Sequence, residues 1–429
     1  MQKYFDETVK TIREMIRFDS SLKPAEEGAP FGKETAACLE RFLAIARDMG
    51  FETHNYDNYI GEVVFGEGKD FAILAHLDVV PAGAGWAHDP FGGEISDGKL
   101  WGRGTMDDKG PAVCILYCLK ALKDEGFTPK RRIKLILGCN EESGWACIEH
   151  YKKVATMPEE GFTPDANFPV IYAEKGIAHI KASFPLKDAP FTALTAGSAA
   201  NMVCDSLTAT LTEKAAAALK DAVSRVEGTC ICVEGNTLTA KGKSAHGSLP
   251  MLGANALEAA LRAFAAIDEQ FAPVVAFLFD DCAHLKDMED ITGRLTMSPD
   301  VAFFEDGALQ VIIDFRYPAT HKIEEIFTAF DAFGVSYESL HCQDPLFNDP
   351  EGETIQRLLS VWNESTGRRE QPIAIGGGTY ARALKCGCGF GPEVDWEESP
   401  IHQANEFISL KHIAFLNDLY YRAIKKISE

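Results

Sequence analysis

The sequence predicts an α/β fold in which a domain with a mixed, mostly parallel sheet is interrupted by an inserted α+β domain. With 429 residues the chain exceeds a single ordinary core. Helical and strand patterns alternate along its first part, which is typical of parallel sheets. Between about 177 and 349 amphipathic strands instead flank helices, and the first pattern resumes afterwards. The predicted parts are therefore 1–176 and 350–429 for the interrupted domain and 177–349 for the insertion.

The elements of the interrupted domain follow one another in a regular order. The apolar run FAILAH at 71–76 ends in a polar turn, as a buried parallel strand does. The segment 109–126 predicts a buried helix that is stopped by Gly126. The other predicted elements are helices at 4–18, 33–49, SGWACIEHYKK, 352–364 and 407–427, and strands at 131–142, 168–176 and QPIAIGGG.

The insertion repeats one order of elements. SLTATL, EKAAAALKDAVSRV and TCICVEG predict strand, helix and strand, and LQVIIDFRYP, KIEEIFTAFDAF and VSYESLHC predict the same order. The two stretches share this pattern with little identity, so an internal duplication is a hypothesis.

The composition is that of an acidic globular protein. A formal net charge of −22 argues against nucleic acid or an anionic membrane as partner, because both bind clustered positive charge. The apolar runs are much shorter than the ~20 residues that span a bilayer, and the first residues lack the apolar stretch of a signal peptide. The 12 cysteines form no CxxC pair. We therefore expect reduced thiols and a cytoplasmic protein.

Candidate metal ligands lie at the edges of predicted strands and helices. His76 and Asp78 share one face at a strand's end, and Asp107 and Asp108 open a helix, where a carboxylate is also an ordinary cap. The remaining candidates are Glu141, Glu142, Asp165 and His402. Each has a structural interpretation when taken alone, as a helix cap, a solvated pair or a core histidine. Together they lie where an α/β sheet opens its cleft, and these ligand types suit a pair of zinc or manganese ions.

These residues lie in motifs that resemble a known family. AHLDVVPAG, LWGRGTMDDKGP, NEESG, GKSAHGSLPMLGANA and HQANE occur in this order. The chain thereby resembles the metallopeptidases that include aminoacylases, carboxypeptidases, acetylornithine deacetylases and succinyl-diaminopimelate desuccinylases. FTPDANFPVIYAEKG, DFRYP and GGGTYAR are most similar to the bacterial peptidase V-type dipeptidases. The resemblance extends to about residue 410 and implies a catalytic domain, an inserted lid domain and hydrolysis of small unblocked dipeptides.

The resemblance also implies a set of metal ligands. Asp107 would bridge two divalent ions, with His76 and Asp165 on one ion and Glu142 and His402 on the other. Two Zn²⁺ ions are expected, with Mn²⁺ as the alternative. The peptide bond that follows Asp107 would be cis, and Asp108 would be structural.

Other residues would carry out the reaction and select the substrate. Glu141 would be the general base that takes a proton from a metal-bridging water, and Asp78 would support His76. His246 would donate to the oxyanion, with help from Asn201. A terminal carboxylate would be bound by Arg316, because guanidinium offers a two-bond fork. The glycine loop would line the same anion through Gly377, Gly378 and Thr379.

Two alternative functions remain open. An N-acyl amidohydrolase of the desuccinylase or deacetylase type would share every metal ligand and differ in how it recognises the ends of the substrate. A non-catalytic metal-binding relative belongs to another class, and Glu141 argues against it because such a protein needs no base. A phosphate-binding P-loop is excluded, since Thr237 stands where the motif before GKS needs glycine. The enlarged lid and its repeated pattern favour a monomer.

Overall fold

The computed structural model describes all 429 residues. None of its helices combines the length and the apolar character needed to cross a membrane. The α-helices are α1 (Phe5–Ile16), α2 (Lys33–Asp48), α3 (Lys109–Asp124), α4 (Ala146–Val154), α5 (Glu213–Leu219), α6 (Ala256–Ala265), α7 (Phe271–Leu278), α8 (Ile323–Ala332), α9 (Glu353–Thr366) and α10 (Leu410–Ser428). Short 3₁₀ helices are Gln2–Tyr4, Pro250–Leu252, Leu285–Asp287 and Tyr380–Ala383.

The strands are β1 (Glu52–Tyr56), β2 (Ile60–Phe65), β3 (Lys69–His76), β4 (Glu94–Ser96), β5 (Lys99–Trp101), β6 (Arg131–Gly138), β7 (Glu160–Thr163), β8 (Ala166–Asn167), β9 (Ile171–Glu174), β10 (Gly176–Pro185), β11 (Phe191–Ala196), β12 (Ser206–Leu211), β13 (Cys230–Glu234), β14 (Thr237–Lys241), β15 (Glu289–Asp290), β16 (Gly293–Arg294), β17 (Thr296–Glu305), β18 (Ala308–Tyr317), β19 (Ser336–Gln343), β20 (Leu346–Phe347), β21 (Ile373–Ile375), β22 (Cys386–Gly389), β23 (Pro392–Glu393) and β24 (Phe407–Ser409).

The chain forms two compact units. The first comprises Met1–Tyr172, Asn348–Ile373 and Thr379–Glu429, and the second comprises Ala173–Phe347 together with the short segment Ala374–Gly378. The second unit is therefore an insertion in the first, and the glycines of the GGGTYAR motif belong to it.

The sheet of the first unit is mixed, and the α/β class is confirmed. Its strands lie in the order β1-β2-β6-β3-β7-β22-β9. The central strands β6, β3, β7 and β22 pair in parallel, whereas the outer pairs are antiparallel. The β1–β2 pair is antiparallel because the tight turn at 57–59 joins the two strands as a hairpin.

The parallel strands bring three loops to one edge of the sheet. β3 and β6 are buried over most of their length, and His76 at the end of β3 lies opposite Gly138 at the end of β6. β7 pairs with β3 on its other side and ends at Thr163. Because the carboxyl ends of parallel strands meet at one edge, the loops after β3, β6 and β7 lie together. The strand predicted at 131–142 thus ends early, and residues 139–142 belong to a loop.

The second unit is built on an eight-stranded antiparallel sheet in the order β13-β14-β12-β11-β17-β18-β10-β19. Alternate residues of β18, namely Leu309, Val311, Ile313 and Phe315, join the apolar core of this unit. Because side chains alternate along a strand, the residues between them face away from that core. The antiparallel sheet and its helices confirm the predicted α+β class of the insertion.

The two copies of the repeated pattern have the same topology. In the first copy, β12 and β13 lie on either side of β14, and each pairs with it antiparallel. In the second copy, β18 and β19 lie on either side of β10 in the same way. Each copy is therefore a strand–helix–strand unit split by one antiparallel strand.

Candidate metal centre and active site

The five residues predicted as metal ligands lie together in the first unit. Oδ1 of Asp107 is 2.9 Å from Nε2 of His76, and Oδ2 is 2.9 Å from Nε2 of His402. The carboxylate of Asp165 lies 3.7 Å from Nε2 of His76, and that of Glu142 lies 3.1 Å from Nε2 of His402. Asp107 therefore stands between two groups, each of which contains one histidine and one further carboxylate.

The contact between His76 and Asp107 lacks the geometry of a hydrogen bond. Nε2 of His76 and Oδ1 of Asp107 are both buried, and neither makes a hydrogen bond. Buried polar atoms without a hydrogen bond are rare and costly, whereas imidazole nitrogen and carboxylate oxygen are preferred ligands of zinc and similar ions. Ligand atoms of His76, Asp107 and Glu142, and those of His76, Glu141 and Asp165, lie within 4.8 Å of one another. These residues fit a centre for divalent metal ions.

The pKa values in the cluster reflect its excess of carboxylates. Burial, with a contribution from Asp107, raises the pKa of Glu142 to about 7. Burial and Asp107 also raise the pKa of Asp165. Burial lowers the pKa of His402, but contacts with Asp107 and Glu142 outweigh that effect and raise it to about 11. A cluster of this kind attracts positive charge, whether as protons or as divalent cations.

Asp78 fixes its neighbours through both its backbone and its side chain. Nδ1 of His76 donates to the backbone oxygen of Asp78 at 2.9 Å, which directs Nε2 towards the other ligands. The carboxylate of Asp78 accepts the backbone N–H groups of Glu141 at 3.0 Å and Glu142 at 3.1 Å. Asp78 thus orients one histidine and holds the loop that carries both glutamates.

Asp108 has a structural position beside the cluster. The Asp107–Asp108 peptide bond is cis, as the resemblance implies. Asp108 occupies the N-cap position of α3, yet its side chain makes no capping hydrogen bond. Instead, Oδ2 accepts the backbone N–H of His76 at 3.2 Å. Its carboxylate therefore helps to hold His76 and does not serve as an ordinary helix cap.

Glu141, the residue predicted as general base, lies beside His76 and Asp165. Its Oε1 accepts a hydrogen bond from Nε1 of Trp145 at 3.2 Å. Burial raises the pKa of Glu141 well above its usual range, and Asp165 adds to this effect while His76 opposes it. A carboxylate with a raised pKa can accept and return a proton near neutral pH. Sequence reasoning gave no role to Trp145, although it follows directly after the NEESG motif.

Glu406 is a second residue whose role sequence reasoning missed. It is fully buried, and its carboxylate accepts Nη1 of Arg103 at 2.6 Å and the backbone N–H groups of Gly104, Met106 and Asp107 at 3.0, 3.0 and 3.4 Å. These bonds fix the loop that ends at Asp107. The HQANE motif contains Glu406, but its hydrogen-bond donors lie about 300 positions away in the sequence.

The second unit contains the predicted oxyanion donor in an exposed loop. Nδ1 of His246 accepts the backbone N–H of Ser248 at 3.2 Å and lies 2.7 Å from Oγ of Ser248. Because Nδ1 accepts a hydrogen bond, the neutral ring carries its proton on Nε2. The backbone oxygen of Asn201 accepts the N–H of Gly247 at 2.7 Å. Asn201 therefore lies beside the His246 loop and contacts it through its backbone.

The residues predicted to bind a carboxylate have different surroundings. Arg316 already binds a carboxylate of its own unit: its Nε and Nη2 donate to Asp314 at 2.9 Å each. Gly377 and Gly378 belong to the second unit, and Thr379 belongs to the first. There, Oγ1 of Thr379 accepts the N–H of Ala381 and caps the 3₁₀ helix that follows.

The sequence of this chain matches the sequence model of Peptidase family M20/M25/M40 over residues 72–426. The Beta-Ala-Xaa dipeptidase of Lactobacillus delbrueckii subsp. lactis is 33% identical, over 99% of this chain and 96% of its own length. YtjP, a putative dipeptidase of Bacillus subtilis, is 32% identical over 99% and 98% of the two chains.

Two solved structures share the fold. Human carnosine dipeptidase 1 has a TM-score of 0.63 at 14% identity, covering 100% of this chain and 97% of its own. The dipeptidase Dug1p of Saccharomyces cerevisiae has a TM-score of 0.60 at 14% identity, with the same coverage of 100% and 97%. The chain has a cluster of possible metal ligands on this fold, and the sequence model of the family matches most of the chain. It therefore belongs to Peptidase family M20/M25/M40 and is a metallopeptidase.

Proposed function

We propose that this protein is a di-metal dipeptidase that hydrolyses the peptide bond of small unblocked dipeptides. The observation that carries the proposal is the position of Asp107 between two ligand groups, with Glu141 beside them. The relatives named as dipeptidases support the substrate class. The first unit would be the catalytic domain and the second the lid of a monomer, and the 12 free cysteines favour a reducing cytoplasm.

The metal ligands divide into two shells in this proposal. Asp107 would be shared by two divalent ions, with His76 and Asp165 holding one of them and Glu142 and His402 holding the other. Both Zn²⁺ and Mn²⁺ accept such nitrogen and oxygen ligands, and we favour Zn²⁺. When bound, the ions supply Lewis-acid polarisation of the substrate carbonyl and lower the pKa of water.

The remaining residues move protons and stabilise charge. Glu141 accepts a proton from the attacking water and passes it to the departing amine. The hydrogen bond from Trp145 orients the carboxylate of Glu141, and Asp78 holds its backbone. Nε2–H of His246 donates to the developing oxyanion, because Ser248 occupies the other ring nitrogen.

The ends of the dipeptide would be recognised by the polar groups that the sequence predicts for this role. Arg316 offers its guanidinium to the terminal carboxylate, which it can bind more specifically than an ammonium could. Asn201 assists His246, and the glycine loop contributes to the same anion site through Gly377, Gly378 and Thr379.

The role of Glu141 is tested by the isosteric change Glu141→Gln. We expect kcat on an unblocked dipeptide to fall by roughly 10³-fold, because the amide cannot accept the proton. Metal analysis of the purified variant should still give two ions per chain. Glu142→Gln is the matched control, and it should lose metal. If Glu141→Gln lost metal as well, Glu141 would be a ligand and the proposed base would have to be reassigned.

The substrate class is tested with metal-stripped protein that has been reloaded with Zn²⁺ or Mn²⁺. The substrates are one unblocked dipeptide and the same dipeptide with an N-acetyl or N-succinyl group. We expect cleavage of the peptide bond of the unblocked dipeptide alone. Release of the acyl group, with the free dipeptide left intact, would instead identify an N-acyl amidohydrolase.

A further inference from the structure

A buried ion pair lies on the face of β18 that points away from the apolar core of the second unit. Asp314 is fully buried, and Arg316 is 5% exposed. Nε of Arg316 lies 2.9 and 3.1 Å from the two oxygens of Asp314, and Nη2 donates to Oδ2 at 2.9 Å. Nη1 takes no part in this fork. Asp314 therefore fixes the plane of the guanidinium while leaving one donor edge for a second anion.

Asp314 also contacts the loop that carries His246. Gly247 is buried, and a Cβ atom placed on it would overlap Oδ2 of Asp314. The same Cβ would lie 3.1 Å from the backbone oxygen of Asn201, which accepts the N–H of Gly247. The loop therefore packs directly on the carboxylate of Asp314, and only glycine fits without displacing one of the two.

Neighbouring polar residues do not compete for the carboxylate of Asp314. Nε2 of His179, on the adjacent strand, lies 3.8 Å from Oδ1, which is beyond hydrogen-bond distance. Ser298 lies opposite Asp314 in the sheet, but its hydroxyl donates to Asp300. The contacts of Asp314 are thus concentrated on Arg316 and on the loop.

We propose that Asp314 is a positioning residue that couples recognition of the substrate's terminal carboxylate to the placement of His246. The inference rests on the proposed dipeptidase function. The same two oxygens set the orientation of Arg316 and the position of the loop at Gly247. A displacement of either partner is therefore transmitted to the other through a single buried side chain.

The first part of the test compares an unblocked dipeptide with its C-terminal amide, using metal-loaded enzyme. The wild-type protein should prefer the dipeptide because Arg316 binds its carboxylate. In Asp314→Asn the amide group cannot accept the full fork. We expect KM for the dipeptide to rise ~10-fold or more, and KM for the amide to change less than ~2-fold.

The second part of the test addresses the loop. In Gly247→Ala the added methyl group must displace the loop or Asp314, so we expect kcat to fall ~10-fold on both substrates. Adding Asp314→Ala removes the obstructing carboxylate. The double variant should then recover kcat on the amide to within ~3-fold of Asp314→Ala alone. If it remained as slow as Gly247→Ala, the contact between loop and carboxylate would not be the cause and the inference would fail.

Asp300→Asn is the matched control, because Asp300 is a buried carboxylate on the neighbouring strand and makes no hydrogen bond to Arg316. Its preference for the dipeptide over the amide should stay within ~2-fold of wild type. Circular dichroism and thermal unfolding of each variant would detect misfolding. If folded Asp314→Asn kept the wild-type preference for the dipeptide over its amide, the inference about Asp314 would fail and the proposed dipeptidase function would stand. A wild-type enzyme that cleaves neither substrate, or does not distinguish them, would overturn the proposed function on which it rests.

Discussion

Each unit buries an arginine–carboxylate pair, and the two pairs differ in what surrounds the charges. In the first unit, Glu406 accepts Arg103 and three backbone N–H groups, so its carboxylate is fully occupied. In the second unit, Asp314 holds Arg316 by a fork that leaves Nη1 unengaged. The first pair joins segments about 300 positions apart, whereas the members of the second are separated by one residue on a single strand.

This difference indicates different uses of the same chemistry. A buried ion pair closed by backbone donors fixes the course of the chain, and here it holds the loop that ends at Asp107. The carboxylate of Asp314 accepts hydrogen bonds from Arg316 and from no backbone N–H group, so this pair orients a guanidinium that can bind another anion. We therefore expect damage to the first pair to appear mainly in stability and metal retention, and damage to the second to appear mainly in catalysis.

The largest expected effect comes from Glu406→Gln. Removing one charge of a buried pair leaves Arg103 uncompensated, so the free energy of unfolding should fall by about 3–5 kcal/mol. Metal affinity should fall too, because the loop before Asp107 loses its anchor. Urea denaturation of metal-free protein and titration with Zn²⁺ would measure the two effects.

Glu160→Gln provides the control for that experiment. Glu160 binds Arg131 and Lys69 at the surface of the same sheet, where its side chain is 24% exposed. Pairs of this kind contribute about 0–1 kcal/mol, so the control should be nearly neutral. Equal losses in the two variants would contradict the distinction between a closed buried pair and an ordinary surface pair.

A crossed pair of lysine substitutions tests the comparison directly. Arg316→Lys keeps the charge but loses the fork, so kcat/KM for an unblocked dipeptide should fall by ~10–100-fold, with less than ~1 kcal/mol lost in unfolding. Arg103→Lys should show the opposite pattern, losing about 1–3 kcal/mol while kcat/KM of the metal-loaded enzyme stays within ~3-fold. Steady-state kinetics gives kcat/KM of each variant, and denaturation gives the free energy of unfolding of each. If both variants lost mainly activity or mainly stability, the two pairs would not differ in use.

The sequence indicated which candidate ligands would lie together better than it indicated which residues hold them in place. The proximity of His76, Asp107 and Glu142 could be predicted because ligand types at the edges of strands and helices are visible in the sequence. Glu406 could not be predicted, because most of its donors are backbone groups, which every residue has. The spacing of two places Asp314 on the same strand face as Arg316, but the local pattern does not show that the two side chains pair.

The class of the fold could be predicted from the sequence, but the pairing of its outer strands could not. The alternation of helices and buried strands correctly indicated the α/β class and the inserted α+β unit. The sequence pattern does not indicate the antiparallel outer pairs, because β1 is short and lacks a continuous apolar run. Pairing partners of such strands are set by tertiary packing, which a local pattern does not contain.

A smaller effect is expected at Asp300, the other buried acid near Arg316. Burial raises the pKa of Asp300 to about 8, against the opposing hydrogen bond from Ser298. Between the ordinary carboxyl pKa near 4 and this value, the unfolded chain releases the proton and the folded chain keeps it. Stability should therefore fall as pH rises through this window and level off above about 8. Below that pH the raised pKa keeps Asp300 mostly protonated, and Asp314 accepts the hydrogen bonds from Arg316.

The variant Asp300→Asn should remove this pH dependence. From pH 5 to pH 9 the unfolding free energy of the variant should rise relative to that of the wild type by about 4 kcal/mol, measured by urea denaturation at each pH. A constant difference between the two proteins across that range would show that Asp300 is ionised throughout. The pair of Asp314 and Arg316 would then have to be treated as part of a larger charged cluster.

The smallest expected effect concerns the loop that rests on Asp314. In the first unit backbone N–H groups do most of the fixing, and in this loop the backbone N–H of Ser248 sets the proton position on His246. Ser248→Ala keeps that N–H and removes only the hydroxyl, so kcat should fall by ~2–5-fold. In His246→Ala, kcat should fall by ~10²-fold or more, because the proposed oxyanion donor itself is lost. A loss in Ser248→Ala as large as that in His246→Ala would show that the hydroxyl orients the ring. Hydrogen bonds from backbone N–H groups would then be sufficient to hold the functional groups of the first unit but not His246 in the second. The two units would differ in how they position functional side chains as well as in how they bury charge.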